Sequence, residues 1–268
     1  MSLFQASGVI TLTTDFGNRG PYLAVMKGMI LKGFPEARMI DLTHDTFVHW
    51  TAEAAFWLER SFRFFPSGTV HLAVVDPGGG DVIAVVREGH VFLGPDNGLL
   101  AAVVDQFRGT DVYLVESARV GTVGVSGLSQ NFRGRDFFAP LAAELAAGRV
   151  RPDKLGPKLR EIVPSAVPEA EVDSKQAIGT VISTDPFGNL ITNIGKRLVE
   201  RFEHPEVTAG GRSFPVNVSY ADVAPGEFTA LINSFGTLEI ARAQQSAADS
   251  LSLGRGAPVT VKERAPSR

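Results

Sequence analysis

The sequence predicts an α/β protein whose first half alternates strands with helices and whose last third is rich in short strands. Three observations carry that reading. From residue 9 onward, apolar runs of strand length are followed by amphipathic helix patterns. The periodicity then fades among prolines at 157, 164 and 168. Beyond them, six β-rich runs separated by Gly, Pro and Asn fill the rest of the chain. These shifts divide the chain into an N-terminal domain over 1–160, a linker over 161–176 and a C-terminal domain over 177–268.

Each element has its own signal. Residues 8–14 form a β-branched run that reads as a buried strand and stops at Asp15-Phe16-Gly17. Pro21 opens a helix with Leu23, Met26, Met29 and Ile30 on one face and Gly33 at its end. A second strand covers 38–42, and Thr51 caps a helix whose apolar side carries Ala54, Ala55, Trp57, Leu58 and Phe62. A third strand over 69–75 ends at Asp76-Pro77-Gly78, and Glu88-Gly89 turns a hairpin between 82–86 and 90–93. Residues 136–147 read as an alanine-rich helix capped by Asp136 and stopped by Gly148. The later runs, 177–183, 190–194, 213–218, 228–232, 238–241 and 258–262, suggest a small β-barrel or sandwich.

Composition excludes several classes of function. With 268 residues, 44% hydrophobic and 21% charged, the chain has the make-up of a globular protein with a core of good size. A net charge of −3 gives no polyelectrolyte signature, so no nucleic-acid partner is expected. No apolar run approaches the roughly 18–20 residues that cross a bilayer, and no membrane partner is expected. The N-terminus lacks a basic segment followed by an apolar one, and there are no cysteines. Both fit a cytoplasmic protein without disulfides, thiolate metal sites or a cysteine nucleophile.

Ligands of open α/β sheets bind beyond the carboxyl ends of strands, and Asp15 and Asp76 both stand there. A carboxylate so placed can accept hydrogen bonds from a vicinal diol; it can equally start a turn. Asp96-Asn97-Gly98 reads as a tight turn, and Arg135 can pair with a carboxylate nearby. Asp185-Pro186-Phe187-Gly188-Asn189 is turn-like too, yet it sets an aromatic face beside an amide that can read a purine edge. The five histidines show no metal-ligand spacing, and His44 and His49 read as ordinary surface or core residues. No metal is expected.

Six blocks in order resemble the S-adenosylmethionine hydrolases (hydroxide adenosyltransferases), homologous to the fluorinases and chlorinases. They are Thr13-Thr14-Asp15-Phe16-Gly17, Val74-Val75-Asp76-Pro77-Gly78, Gly94-Pro95-Asp96-Asn97-Gly98, Phe132-x-Gly134-Arg135-Asp136, Asp185-x-Phe187-Gly188-Asn189 and Ile232-Asn233-Ser234-x-Gly236. The resemblance implies an N-terminal α/β sandwich-type domain, a smaller C-terminal β-barrel, and a homotrimer with its active sites at subunit interfaces. It implies that Asp15 holds the ribose hydroxyls, with Trp50, Phe187 and Tyr220 around the ligand. Asn189 would read adenine, Asp185 and Ser234 would hold the methionine end, and Arg242 would lie near the adenine. The adenosyl compound is substrate, and no cofactor is implied.

The implied reaction is attack by water on ribose C5′, giving adenosine and L-methionine, with Asp, Arg and His handling the water. This chain keeps the Asp as Asp76. The loop runs from Gly80 directly into Asp81-Val82 without the Arg, and Arg133 stands where the His is expected. Asp76 and Arg133 are then the catalytic candidates. Two other readings share the pocket: an adenosyl-binding homologue impaired in catalysis, and a halide-using enzyme in which Gly134 leaves room for the anion.

Overall fold

The computed structural model describes residues 4–78, 80–104, 108–121 and 131–264. The chain divides into two compact units, Met1–Val167 and Pro168–Arg268. The first is a layered α/β unit and the second a nearly closed barrel, the architecture the sequence implied.

In the first unit, β1 (Val9–Thr14), β2 (Arg38–Thr43), β3 (Val70–Val74), β4 (Val82–Arg87), β5 (His90–Pro95), β6 (Thr110–Leu114) and β7 (Lys158–Leu159) share one sheet. Its strand order is β2-β1-β3-β5-β4-β6-β7. β1 runs parallel to β2 and β3, and β3 runs parallel to β5. Parallel pairing requires crossovers; α1 (Tyr22–Gly33) joins β1 to β2 and α2 (Thr51–Ser61) joins β2 to β3, while β3 reaches its parallel neighbour β5 by way of β4. Helices on both faces explain why all six residues of β1 are buried, with no polar alternation. One face of the sheet packs Ile10, Leu12, Leu72 and Val74 against Met26 and Ile30 of α1 and against Leu141 and Leu145 of α4 (Ala139–Ala146). The other packs Ala73, Val75, Ile83 and Phe92 against Leu58 of α2 and against Phe62.

Between these elements lie the short helix α3 (Ser117–Gly121) and a π-helical turn, Gly134–Phe138, which leads into α4. The expected helix over 136–147 therefore begins two residues early and in a wider spiral: Ala139 N–H donates to Gly134 O, five residues back. Asp136 is not its cap, because its carboxylate is gripped by Arg135 through two hydrogen bonds of 2.5 and 2.7 Å. The Glu88-Gly89 hairpin forms as read, with φ of 51° and 81° at the two turn residues.

In the second unit, β8 (Glu171–Val172), β9 (Gln176–Thr184), β10 (Leu190–Gly195), β11 (Pro205–Ala209), β12 (Arg212–Pro215), β13 (Phe228–Ile232), β14 (Thr237–Arg242) and β15 (Pro258–Glu263) form an eight-stranded sheet. Its path is β12-β11-β15-β9-β10-β14-β13, with β8 on the side of β9. A parallel bridge between Val216 and Ala230 brings the end of the path back toward its start. Inward residues Val181, Leu190, Val207, Phe214, Leu238, Ile240 and Val261 fill the interior. The short helix α5 (Lys196–Val199) packs beside β10 and β14, and α6 (Ala247–Leu251) beside β14. β11 escaped the sequence reading because Pro205 and Glu206 mask a two-residue period that puts Val207 and Ala209 inside.

Candidate active site

Two groups of residues emerge, one in each unit. In the first unit they gather at the carboxyl ends of β1 and β3, where Asp15 and Asp76 follow the last strand residues. Asp15 Oδ2 accepts the backbone N–H of His49 at 2.9 Å. His49 Nδ1 lies 3.0 Å from Asp76 Oδ1. One residue of the β2–α2 loop thus touches both carboxylates. His49 and Asp76 share a second property, a left-handed backbone with φ of 60° and 43°. Residues with a β-carbon seldom adopt it, and it tends to be kept where a site requires it.

The surroundings hold this arrangement in place. Asn97 donates through Nδ2 to the carbonyls of Val75 (3.0 Å) and Asp76 (2.9 Å), so the Asp96-Asn97-Gly98 turn also braces the Asp76 loop. Behind Asp15, the hydroxyl of Thr14 pairs with His44 Nδ1 at 2.8 Å, and Gly17 N–H donates to His44 O at 2.8 Å. His44 Nε2 is 3.1 Å from Asp41 Oδ1, but off the direction of a good hydrogen bond. Trp50 is half-buried at the start of α2, its ring edge-on to Phe47 at 5.8 Å between centroids.

Arg133 takes a different part from the one suggested by its position in the sequence. Its Nη1 donates to the carbonyls of Pro77, Gly78 and Gly80 at 3.1, 2.8 and 3.0 Å. Among the described residues no ion pair joins it to Asp76. Its guanidinium clamps the shortened loop that follows Asp76. Gly134, where the sequence suggested space for an anion, is packed tight: a β-carbon there would lie 3.0 Å from Met26 Sδ and 3.1 Å from the Phe132 ring.

In the second unit, Asp185, Phe187, Asn189, Tyr220 and Arg242 line one cavity of about 590 Å³, completed by residues 243–246. The β9–β10 turn builds one wall. Asp185 Oδ1 accepts the N–H groups of Phe187 and Asn189 at 2.9 and 2.8 Å, and its Oδ2 accepts Asn189 Nδ2 at 2.9 Å. That last bond fixes the Asn189 amide so that its oxygen is left as an acceptor. Phe187 is 79% exposed, an aromatic face held out on a tight turn. Gly188 sits at φ 83°, and a β-carbon there would fall 2.2 Å from Ser246 Oγ and 2.8 Å from Ser246 Cα. Glycine is what lets the two walls meet.

Tyr220 donates to Glu239 Oε1 at 2.5 Å, and Asn233 Nδ2 donates to Glu239 Oε2 at 3.2 Å. Burial pushes the Glu239 carboxyl above the usual range, while both hydrogen bonds pull it down. Burial and the contact with Glu239 push the Tyr220 phenol up as well. Arg242 is anchored by Nε to Gly226 O (2.8 Å) and by Nη1 to Ser250 Oγ (2.7 Å), with its guanidinium 5.0 Å over the Phe228 ring. Ser234 is exposed in the β13–β14 turn and does not line the cavity. His49 and Glu239 are the participants that sequence reasoning missed. His49 had no motif, and Glu239 was hidden in a strand where a carboxylate is unexpected.

With this geometry in place, comparison with known proteins gives consistent results. Residues 10–156 match the S-adenosylmethionine hydroxide adenosyltransferase N-terminal domain, and residues 179–260 match the C-terminal domain of the same family. A protein of Thermus thermophilus named (R)-S-adenosyl-L-methionine hydrolase is 36% identical over 92% of this chain and 97% of its own. One of the same name from Salinispora tropica is 33% identical over 92% of this chain and 95% of its own. The fluorinase of Actinopolyspora mzabensis is more distant, at 25% over 97% of this chain and 99% of its own. The crystal structure of an uncharacterized conserved protein from Thermotoga maritima superposes with a TM-score of 0.84 at 31% identity, over 95% of this chain and 100% of that one. Both halves of the family and the full lengths of these relatives are represented, and the chain belongs to the S-adenosylmethionine hydroxide adenosyltransferase family.

Proposed function

We propose that this protein hydrolyses S-adenosylmethionine, water attacking ribose C5′ to release adenosine and L-methionine. The observation that carries the reading is the likeness, over nearly the whole chain, to two proteins named (R)-S-adenosyl-L-methionine hydrolase. Those relatives are named for the (R) form of S-adenosyl-L-methionine, and we take that form as the substrate here too. The leaving group departs as a neutral thioether and needs no protonation, so the protein's tasks are alignment, exclusion of water and presentation of the nucleophile.

Residue chemistry supports a division of labour. Asp15 keeps Oδ1 for the ribose diol while Oδ2 takes the His49 amide. The exposed ring of Phe187 suits stacking on a purine, and the Asn189 oxygen suits its exocyclic amine. Asp185 spends its carboxylate on its own turn, so in this reading it shapes the methionine end of the pocket rather than gripping it. Trp50, Tyr220 and Arg242 form walls, and Ser234 approaches the methionine end from the β13–β14 turn. Arg133 holds the Asp76 loop. We further propose a homotrimer in which the first unit of one subunit meets the cavity of the next.

A halide in place of water fits this site less well. Asp76 would set a negative charge beside the anion, at a cost of about 1–4 kcal/mol at ~4 Å, and the space at Gly134 is filled. The test is incubation of the purified protein with each sulfur epimer of S-adenosylmethionine, with and without chloride, and chromatography of the products. Adenosine and methionine in equal amounts support the reading. Binding without turnover would favour the impaired homologue, and 5′-chloro-5′-deoxyadenosine the halide enzyme.

A further inference from the structure

We propose that His49 takes the proton of the attacking water, with Asp76 fixing its tautomer; the inference rests on the hydrolase reading above. The water-handling Arg and His that the family resemblance implies are missing from their places in the sequence, and Arg133 is occupied with backbone carbonyls. An imidazole nevertheless reaches Asp76, from the loop between β2 and α2. The 3.0 Å contact joins His49 Nδ1 to an Asp76 oxygen. A hydrogen on Nδ1 donated to that carboxylate leaves the lone pair on Nε2, and no described residue takes Nε2.

A carboxylate that holds one imidazole nitrogen leaves the other free to accept a proton from a water placed beside it. The same residue is tied by its amide to Asp15, the carboxylate assigned to the ribose, at 2.9 Å. The base is thereby located relative to the sugar whose C5′ is attacked. Both members of the pair hold left-handed backbones although neither is glycine, a conformation uncommon for residues with a β-carbon. The charged and titratable side chains on the loops meeting here include Asp15 and Arg19 after β1, His44 and Asp45 beside His49, Asp76 and Asp81 after β3, Asp96 in the turn that braces them, Arg133, and Glu53 at the start of α2, whose carboxylate takes Phe47 N–H.

In the step itself, the C5′–O bond forms as the C5′–S bond breaks. The bonding pair passes to sulfur, giving neutral methionine. The water proton moves to His49 Nε2, and the imidazolium formed is paired with Asp76 until it loses the proton to solvent.

The experiment compares the full-length protein with His49→Asn, whose side chain tolerates a left-handed backbone without supplying a base, and with His49→Gly, which leaves room for free imidazole. Adenosine release is followed against pH, and thermal melts confirm folding. The expected result is a kcat lower by about 10²–10⁴-fold in both variants, the typical value of a positioned base, with KM little changed. The acid limb of the wild-type kcat profile should disappear in H49N, and added imidazole should partly restore H49G in proportion to its free-base form. Variants that keep the wild-type kcat and acid limb would overturn the role of His49 and leave the hydrolase standing. A wild-type protein that releases no adenosine would overturn both.

Discussion

At the level of single residues, the site depends on a few side chains with unusual demands. Gly188 is one: any β-carbon collides with Ser246, including its backbone, so Gly188→Ala should abolish measurable adenosine binding by calorimetry while the first unit stays folded. Tyr220 is another. Replacing it with Phe removes one of the two donors that Glu239 has while buried, which should cost about 1–3 kcal/mol in urea unfolding. Unchanged stability would mean that water replaces the phenol. In the second unit the sequence itself marks the turn that holds Asp185, Phe187 and Asn189, whereas Tyr220 and Arg242 were reached only through the family resemblance; all five line one cavity. It could not reveal His49. What marks that residue is a backbone angle and a contact with Asp76, which lies 27 residues further along the chain.

At the level of elements, the loop after Asp76 is the part most altered by the sequence. It lacks the arginine that the family resemblance implies, and its carbonyls are gathered by Arg133 from the start of the π-helical turn. Arg133→Ala should release those carbonyls, lower the melting temperature by a few degrees and reduce kcat more than it raises KM. A variant with unchanged kinetics would show that the loop holds its shape alone. Strands and helices buried on one side or both were readable from period and length, as in β1 and α1. The π-helical turn was not, since a residue gained in a helix leaves no compositional trace, and its alanine-rich continuation looked like an ordinary α-helix from Asp136 onward. β11 was hidden for the opposite reason, a strand with strand-breaking residues at its start.

At the level of the whole molecule, assembly and acidity give two further outcomes. If each active site draws on two subunits of a trimer, light scattering should give three times the 28.6 kDa chain mass. An equal mixture of Asp76→Asn and Gly188→Ala proteins, unfolded and refolded together, should recover activity at about a quarter of its interfaces. Recovery of none would place each site within one subunit. Acid should weaken the fold through His71, which is buried among Phe62, Phe65 and Phe92 and bonded to Thr11 and His90. Burial first, and then the neighbouring His90, push its imidazole from an ordinary 6.5 down to about 3. The unfolded chain therefore binds this proton first, so stability is complete above pH 6.5 and is lost as pH falls toward 3. The urea midpoint should drop across that range, and less so in a Thr11→Val/His71→Leu double variant.

The bridge between Val216 and Ala230 has one more consequence. Every other neighbouring pair along the barrel path is joined by a ladder of partners, whereas this seam has one parallel bridge and two hydrogen bonds from Asn217, its N–H to Ala230 O at 2.8 Å and its Nδ2 to Thr229 Oγ1 at 2.9 Å. A closure with so few rungs should open before the rest. Amide protons at 216–218 should therefore exchange with solvent well ahead of those in β9 and β15. Tyr220 follows three residues after Asn217 on the same segment, so opening the seam carries a cavity wall with it. Breathing of the barrel and admission of the ligand would then be one motion, and a bound adenosyl compound should slow exchange at a seam that it does not itself have to touch.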